Sequence, residues 1–264
     1  MKLRKLIPVE LARGLVGIGR AIVYNSITNL SYNNRRRDKA MPFTQASIDF
    51  LVENRMRDSR EWFAEHKGRY KAVLLEPLVE LVTRLAQPML KIDPQLITEP
   101  RVDKTLSRIY RDTRFSKDKS LYRDNMWMVF MREKKLYEGP PAFYFDMGPN
   151  GFSYGMGYYQ ASAQTMAAVR EMAARREPQF ERADAAYLGQ ALFAMEGDFF
   201  KRARYPDATE RQRDWLERKS LSFNRHSQDF SALFSDGLAD LLLEGYRALA
   251  PIYEFLCEAE ARRM

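Results

Sequence analysis

The residues best suited to chemistry lie in one segment, Ser107 to Asp124, which reads SRIYRDTRFSKDKSLYRD. Arginine binds carboxylate or phosphate through parallel hydrogen bonds, and lysine adds a compact positive charge. The segment therefore predicts a binding site for a small anionic ligand. Its candidate ligand-binding residues are Arg108, Arg111, Arg114, Lys117 and Lys119.

Carboxylates accompany these cations at Asp112, Asp118 and Asp124. We take Asp112 as a candidate catalytic residue, because it can orient the guanidinium groups or act as a general base if burial raises its pKa. A structural alternative has similar weight. A surface loop whose arginines and aspartates neutralise one another uses the same residue types as a binding site.

One lysine outside this segment is a further candidate. Trp62, Phe63 and Tyr70 recur at helical spacing, so we expect them to pack in the core. Lys67 lies among them, and a lysine stem can follow such a surface while its ammonium group reaches a pocket. We therefore add Lys67 to the candidate ligand-binding residues.

Helices are predicted on both sides of the segment that carries the arginines, from their apolar spacing and their capping residues. The predicted helices are Thr44–Asn54, one capped by Ser59 and continued through Pro77 to about Lys91, Ser162–Arg176, one from Pro178 toward Met195, one capped by Thr209, and Leu238–Glu258.

Between these helices the hydrophobic period shifts toward two, which predicts strands in TLSRIY, MWMVFM, AFYFDM and FSYGMGYY. Gly148 to Gly151 predicts a hairpin turn between the last two. Met126–Met131 is apolar throughout and is predicted to be a central strand with both faces covered. The order of elements predicts an α+β fold with a mainly antiparallel sheet at about residues 103–158.

Gly155 and Gly157 lie near the end of the last predicted strand. They lack the third glycine and the parallel context of a dinucleotide-binding loop. We expect them to permit a bend or a close approach of another backbone, and we expect this strand end to face the arginine-rich segment.

The sequence gives little support to metal or thiol chemistry. Cys257 is the single cysteine, and His66 and His226 are far apart, whereas a zinc site needs several such ligands together. We expect no disulfide, no metal and no cofactor.

The positive charge is distributed unevenly along the chain. Of the formal net charge of +8, residues 1–40 supply nine basic and two acidic side chains, so the rest of the chain is almost neutral. Residues 101–135 carry eleven basic and five acidic side chains. A nearly neutral body makes nucleic acid an unlikely partner, because binding to it depends on phosphate neutralisation.

Residues 1–40 differ from the remainder of the chain. Glu10, Arg13 and Arg20 interrupt the apolar residues, so the segment matches neither a secretory signal nor a membrane span. A transit peptide or a surface-binding helix is one interpretation. We favour another, in which the native chain starts at Met41, residues 1–40 are not part of the fold, and residues 41–264 form a single domain.

The arginine-rich segment resembles a known family. Its residues fit the signature R-x-x-R-D-x-R-F-x-x-x-K-x-x-Y of a conserved bacterial and fungal family of unknown function, and the resemblance extends from about Phe43 to Leu256. The matching positions are Arg108, Arg111, Asp112, Arg114, Phe115, Lys119 and Tyr122. The signature adds Tyr122 to the candidate ligand-binding residues. Where relatives have K-x-P-Y-K, this chain has Lys119 to Arg123 without the proline.

Three functional hypotheses follow. The first is a cytosolic enzyme or binding protein for a small phosphate- or carboxylate-bearing ligand held by the arginine-rich segment. The second is a non-catalytic interaction module in which that segment docks on an acidic protein surface or a nucleic-acid backbone. The third is architectural, with the motif tying the sheet to the helices. The sequence does not specify an oligomeric state.

Overall fold

A computed structural model of the chain describes residues 43–133, 139–159 and 161–262. The described residues belong to one compact unit within Pro42–Met264. The interpretation of residues 1–40 lies outside the described residues and stays a prediction.

The first helices follow one another with little intervening chain. They are α1 (Gln45–Arg57), α2 (Arg60–Tyr70), a π-helical turn (Lys71–Leu75) and α3 (Glu76–Ile92). Ser59 caps α2 as predicted, because its hydroxyl accepts a hydrogen bond from the Trp62 amide at 3.2 Å. Pro77 lies in the first turn of α3, where a missing amide proton costs no hydrogen bond.

The sheet has five antiparallel strands, which confirms the α+β prediction. They are β1 (Met126–Phe130), β2 (Ala142–Gly148), β3 (Gly151–Gly157), β4 (Ala194–Glu196) and β5 (Ser222–Ser227), in the spatial order β1-β2-β3-β5-β4. Gly148 pairs with Gly151 across the predicted hairpin turn.

The prediction that Met126–Met131 forms a central strand is wrong. β1 is an edge strand of the sheet and pairs with β2 on one side. On its other side, irregular backbone supplies hydrogen bonds from the Ser107 amide to the Trp127 carbonyl at 3.0 Å and from the Val129 amide to the Thr105 carbonyl at 2.8 Å. The outer edge of β1 is therefore covered by irregular backbone and not by a regular strand.

The predicted extent of the sheet is also corrected. TLSRIY is not a strand, because its backbone forms only isolated bridges, such as Leu106 with Met128. β4 and β5 lie beyond residue 158 and join the sheet through β3. The helix predicted from Pro178 toward Met195 ends at Leu188, and Met195 lies in β4.

The later helices end with a long one that lies on the sheet. They are α4 (Ala163–Ala174), α5 (Pro178–Leu188), α6 (Glu210–Leu216), α7 (Phe230–Leu233) and α8 (Leu238–Arg262). None of the helices within the described ranges combines the length and the apolar character that a membrane crossing requires.

Helix α8 packs closely against β2 and β3. A side chain at Gly245 would place its Cβ 2.7 Å from the rings of Tyr154 and Phe193, so only glycine permits this approach. The next residue is Tyr246, whose hydroxyl donates to the Tyr144 carbonyl oxygen at 2.8 Å, and further along the helix the Tyr253 ring lies 4.7 Å from the ring of Phe143. The helix therefore buries one face of the sheet.

The two faces of the sheet differ because side chains alternate along each strand. The face toward the helices carries fully buried side chains such as Met128, Phe145 and Phe223. The opposite face carries half-buried or polar side chains such as Trp127 and Asp146. This second face lines the cavities described below.

A buried carboxylate joins three parts of the fold. Asp93, just after α3, accepts hydrogen bonds at 2.6 Å from Arg132 Nε, beyond β1, and from the Tyr253 hydroxyl in α8. Burial alone would raise the pKa of Asp93, but hydrogen bonds from Arg132, Tyr253 and the Gln95 amide lower it below its ordinary value. The ionised carboxylate is thus stabilised by its partners.

We expect Asp93→Asn to lower the free energy of unfolding by about 3 kcal/mol at pH 7, because it removes the negative charge of a buried carboxylate that accepts hydrogen bonds from Arg132 and Tyr253. Urea denaturation measures this change. The matched control is Asp240→Asn, which alters an exposed carboxylate on α8. Equal stabilities for the two variants would contradict the structural role of Asp93.

Candidate functional site

The arginine-rich segment forms a loop whose two ends pair with each other. The Arg111 amide donates to the Leu121 carbonyl oxygen at 2.8 Å, and the Arg123 amide donates to the Ile109 carbonyl oxygen at 2.9 Å. We call residues 108–122 the arginine-rich loop. Its backbone pairing brings most of the predicted site residues into one region.

Within the loop, most of the predicted anion-binding side chains already have protein partners. Asp118 pairs with Arg111 and, at 2.6 Å, with Arg55 of α1. Arg114 pairs with Asp112 at 2.6 Å. These pairs match the structural alternative, in which the loop neutralises its own charges.

The remaining basic side chains of the loop are at its surface. Arg108 lies 3.2 Å from the carboxylate of Asp103, and more than half of its side chain is exposed. Lys119 donates to the Thr113 carbonyl oxygen at 2.8 Å, and Lys117 is exposed. Lys67, on α2, is exposed as well.

The environment of Asp112 bears on its predicted role as a general base. Side-chain and backbone hydrogen bonds from Arg114 lower the pKa of the Asp112 carboxyl to about 2. A general base works best when its pKa lies near the working pH, so this environment suits an ion pair better than catalysis. The catalytic role of Asp112 stays a prediction.

Tyr122 is fully buried and belongs to an aromatic cluster. Its ring lies 5.1 Å from the rings of Phe63 and of Tyr110. Burial, with a smaller effect of Tyr110, raises the pKa of Tyr122 to about 12. Phe63 and Tyr70 are buried, which confirms their predicted place in the core, whereas Trp62 is half-buried and stacks on His66 at 4.0 Å.

A cavity of about 710 Å³ lies on the sheet face opposite α8. Its volume is in the range that small-molecule sites occupy. We call it the sheet-face groove. The residues that give it its chemistry are Arg123, Trp127, Tyr144, Asp146, Ser153 and Asn224.

A row of hydrogen bonds fixes the polar side chains of this sheet face. The Tyr144 hydroxyl donates to Asn224 Oδ1 at 3.1 Å, and Asn224 Nδ2 donates to Glu196 Oε2 at 2.7 Å. The other oxygen of Glu196 lies 3.1 Å from His226 Nε2. The row crosses from β2 to β4 and fixes the orientation of these side chains.

Arg123 forms one wall of the groove. Its guanidinium lies over the Trp127 ring at 4.5 Å, and its Nε donates to the Tyr110 carbonyl oxygen at 3.3 Å. The pKa of Arg123 is lowered, chiefly by burial and also by the nearby positive charges of Arg111 and Arg108. No carboxylate of the described ranges forms a salt bridge with it, so its positive charge is available to an anion.

Asp146 lies on the floor of the groove. It also lines a second cavity, of about 580 Å³, beside the β2–β3 turn. Its carboxylate accepts a hydrogen bond from Asn125 Nδ2 at 2.6 Å. Burial raises the pKa of Asp146 to about 6. The hydrogen bond from Asn125 opposes this shift, and the nearby charge of Asp124 adds to it.

Gly155 allows β5 to approach β3 closely. A Cβ at this position would lie 2.0 Å from the Phe223 carbonyl oxygen of β5. The expectation that glycine here permits a close backbone approach is therefore confirmed. The end of β3 also meets the same cavity as Arg123, because Gly157 and Tyr158 line it.

Sequence reasoning did not identify the groove, although two signals point to it. Arg123 is the last basic residue of the segment Ser107 to Asp124, which its charge already singles out. Asp146 is the single charged residue of AFYFDM, and it shares a face with Tyr144 at period two. A charge inside an otherwise apolar strand is a signal of function.

We expect Asp146→Asn to stabilise the protein at pH 7.5. The folded-state pKa of about 6 lies above the ordinary value near 3.9, so the wild type loses stability as pH rises through that interval. The variant does not titrate there and should gain about 1 to 3 kcal/mol at pH 7.5 and almost nothing at pH 4. Urea denaturation at the two pH values tests this, and a less stable variant at pH 7.5 would contradict it.

Two arginines of the loop should differ in their effect on stability. The Arg111 side chain is 22% exposed and shares Asp118 with Arg55, so Arg111→Ala should lower Tm by several degrees. The Arg114 side chain is 77% exposed, so Arg114→Ala should leave Tm almost unchanged. Thermal unfolding of both variants tests the structural interpretation. Equal Tm values for the two variants would contradict the structural role that we assign to Arg111.

A comparison with protein families identifies the family to which the chain belongs. A model of a conserved hypothetical protein family, DUF2461, matches residues 46–255, and neither a curated protein nor a solved structure matches the chain. The matched range contains the arginine-rich loop, all five strands and most of α8. The chain therefore belongs to the DUF2461 family.

Proposed function

We propose that the protein binds a small phosphate- or carboxylate-bearing ligand in the sheet-face groove, with the anionic group at Arg123. The observation that carries this proposal is the position of the guanidinium. It lies at the groove wall over Trp127, partly buried, without a salt bridge to any carboxylate that the structure describes. A desolvated guanidinium without a counter-charge gains most from an anion.

The positive charges of the arginine-rich loop support this site because they attract an anion to the groove. Arg108 and Arg111 lie close enough to lower the pKa of Arg123, so they also raise the positive potential at the groove wall. Arg111, Arg114 and Lys119 have protein partners, which leaves them less able to hold a ligand directly. We therefore assign the contact with the anion to Arg123 and the attraction of the anion to the loop.

The rest of the groove suits the polar remainder of such a ligand. Ser153 and Asn224 present hydrogen-bonding groups, and the rings of Trp127 and Tyr144 offer flat apolar surface. Ligand sites combine a mainly apolar wall with a few fixed polar groups in this way. A cytosolic location for this activity stays a prediction from the sequence.

One observation favours the second hypothesis, an interaction module. Phe115 is 95% exposed in the arginine-rich loop, next to Arg114, which is 77% exposed. An exposed aromatic beside basic side chains is a common anchor at interfaces. Binding of an oligonucleotide or an acidic peptide that falls steeply with salt and is lost in Phe115→Ala would favour this hypothesis.

We expect at least one small anion to stabilise the protein and Arg123→Gln to abolish the effect. The probes are inorganic phosphate, glucose 6-phosphate, 3-phosphoglycerate, glutarate and citrate, tested by thermal shift and then by calorimetry. Losing a charged hydrogen bond should weaken binding by about tenfold or more. A ligand stabilises only the state that binds it, so the Tm shift should fall in parallel.

The control is Arg247→Gln, which removes an exposed arginine of α8. It should bind each probe like the wild type. Unchanged affinity in Arg123→Gln would refute the assignment of Arg123, and the absence of any saturable binding would refute the proposal as a whole.

A further inference from the structure

We infer that the ligand of the sheet-face groove is zwitterionic and carries an amine that pairs with Asp146. This inference rests on the proposed function, because it describes the part of the same ligand that lies away from Arg123.

The first step is the shape of the site. The groove and the cavity beside the β2–β3 turn share Asn125, Asp146 and Ser153 among their lining residues, so the two cavities adjoin on the sheet face, and we call them together the depression. Asp146 lies where the two join. A ligand whose anionic group is at Arg123 and which extends along the strands therefore reaches the Asp146 carboxylate.

The second step is the charge along that depression. Arg123 lies on the wall of the groove. The cavity at the turn is lined by Asp124 and Asp146, and the described residues around it include neither lysine nor arginine. The two ends of the depression thus have opposite electrostatic character, which complements a ligand with one anionic and one cationic group.

The third step compares Asp146 with other enclosed aspartates of this protein. Asp93 pairs with Arg132, and Asp184 pairs with Arg211 while accepting a hydrogen bond from Trp215 Nε1 at 3.0 Å. Asp146 accepts a hydrogen bond from a neutral amide and forms no salt bridge within the described ranges. An enclosed carboxylate without a cation is costly, so a cation from outside would fill the missing position.

The titration of Asp146 agrees with this geometry. Burial raises its pKa to about 6, the hydrogen bond from Asn125 opposes this, Asp124 raises the pKa further, and Arg123 lowers it. An ammonium group beside the carboxylate would lower that pKa again. Binding of an amine near pH 6 should therefore release protons from the protein.

The charged and polar groups around Asp146 are Asn125, Asp124 and Arg123, and His226 of β5 lines the same cavity beyond Ser153. Ser153 lies opposite it on β3 and can bond a hydroxyl group of the ligand. Amino compounds with a phosphate or carboxylate, such as amino-sugar phosphates and amino acids, have the two charged groups, and the amino sugars add hydroxyl groups for Ser153. They are the ligand class that the site fits.

The test uses pairs of probes that differ only by the amine. The pairs are glucosamine 6-phosphate with glucose 6-phosphate, O-phosphoethanolamine with ethyl phosphate, and glutamate with glutarate. At pH 7.5 we expect the amine-bearing member of at least one pair to bind about tenfold tighter, as a charged hydrogen bond allows. Asp146→Asn should remove that advantage, and the exposed-surface control Asp240→Asn should keep it.

A second measurement needs only the wild type. Calorimetry of the amine-bearing probe at pH 6 in two buffers of different ionisation enthalpy measures the proton release. We expect the amine-bearing probe to release more protons than its amine-free partner, because the second ionisation of a phosphate group near pH 6 contributes to both members of a pair.

The outcomes separate the two proposals. If amine-free anions bind as tightly as their partners and depend on Arg123 alone, the zwitterion inference is wrong and the proposed function stands. An amine preference that survives in Asp146→Asn also overturns the inference. If no probe of any pair binds saturably to the wild type, both proposals are wrong.

Discussion

Helix α8 lies across one face of the sheet, and the rest of the structure follows from this contact. Because Gly245 lets the helix approach closely, β2 and β3 place large aromatic side chains such as Phe143 and Tyr154 against it. Strand alternation then sends every second residue to the opposite face. That face receives no comparable helix packing from α8, so residues such as Tyr144 and Asp146 line cavities instead of filling a core.

The charges on this open face are not arranged for stability. Elsewhere the protein pairs its enclosed carboxylates with arginine, as Asp93 with Arg132. On the groove, Arg123 and Asp146 are both partly desolvated, yet neither has a salt-bridge partner among the described residues. Proteins retain such unfavourable groups chiefly where a ligand uses them, because selection acts on function as well as on stability.

Local signals in the sequence predicted the elements that depend on neighbouring residues. The Ser59 cap, the proline at the start of α3 and the turn at Gly148–Gly151 are decided within a few positions, and the structure has all three. β4 and β5 escaped prediction because they are short and partly polar. Their pairing with β3 depends on residues far away in the sequence, and a single-sequence pattern does not contain that information.

Two further features of the structure, the edge position of β1 and the pairing of the charges, were not evident from the sequence for one physical reason. The apolar run in β1 suggested a central strand because Trp127 and Val129 alternate with core residues, but these two side chains line the groove. The arginine-rich segment suggested a site because counting charges does not reveal which are paired. Of its basic side chains, Arg123 lines the groove and forms no salt bridge with a described carboxylate, which is why we place the proposed anion there.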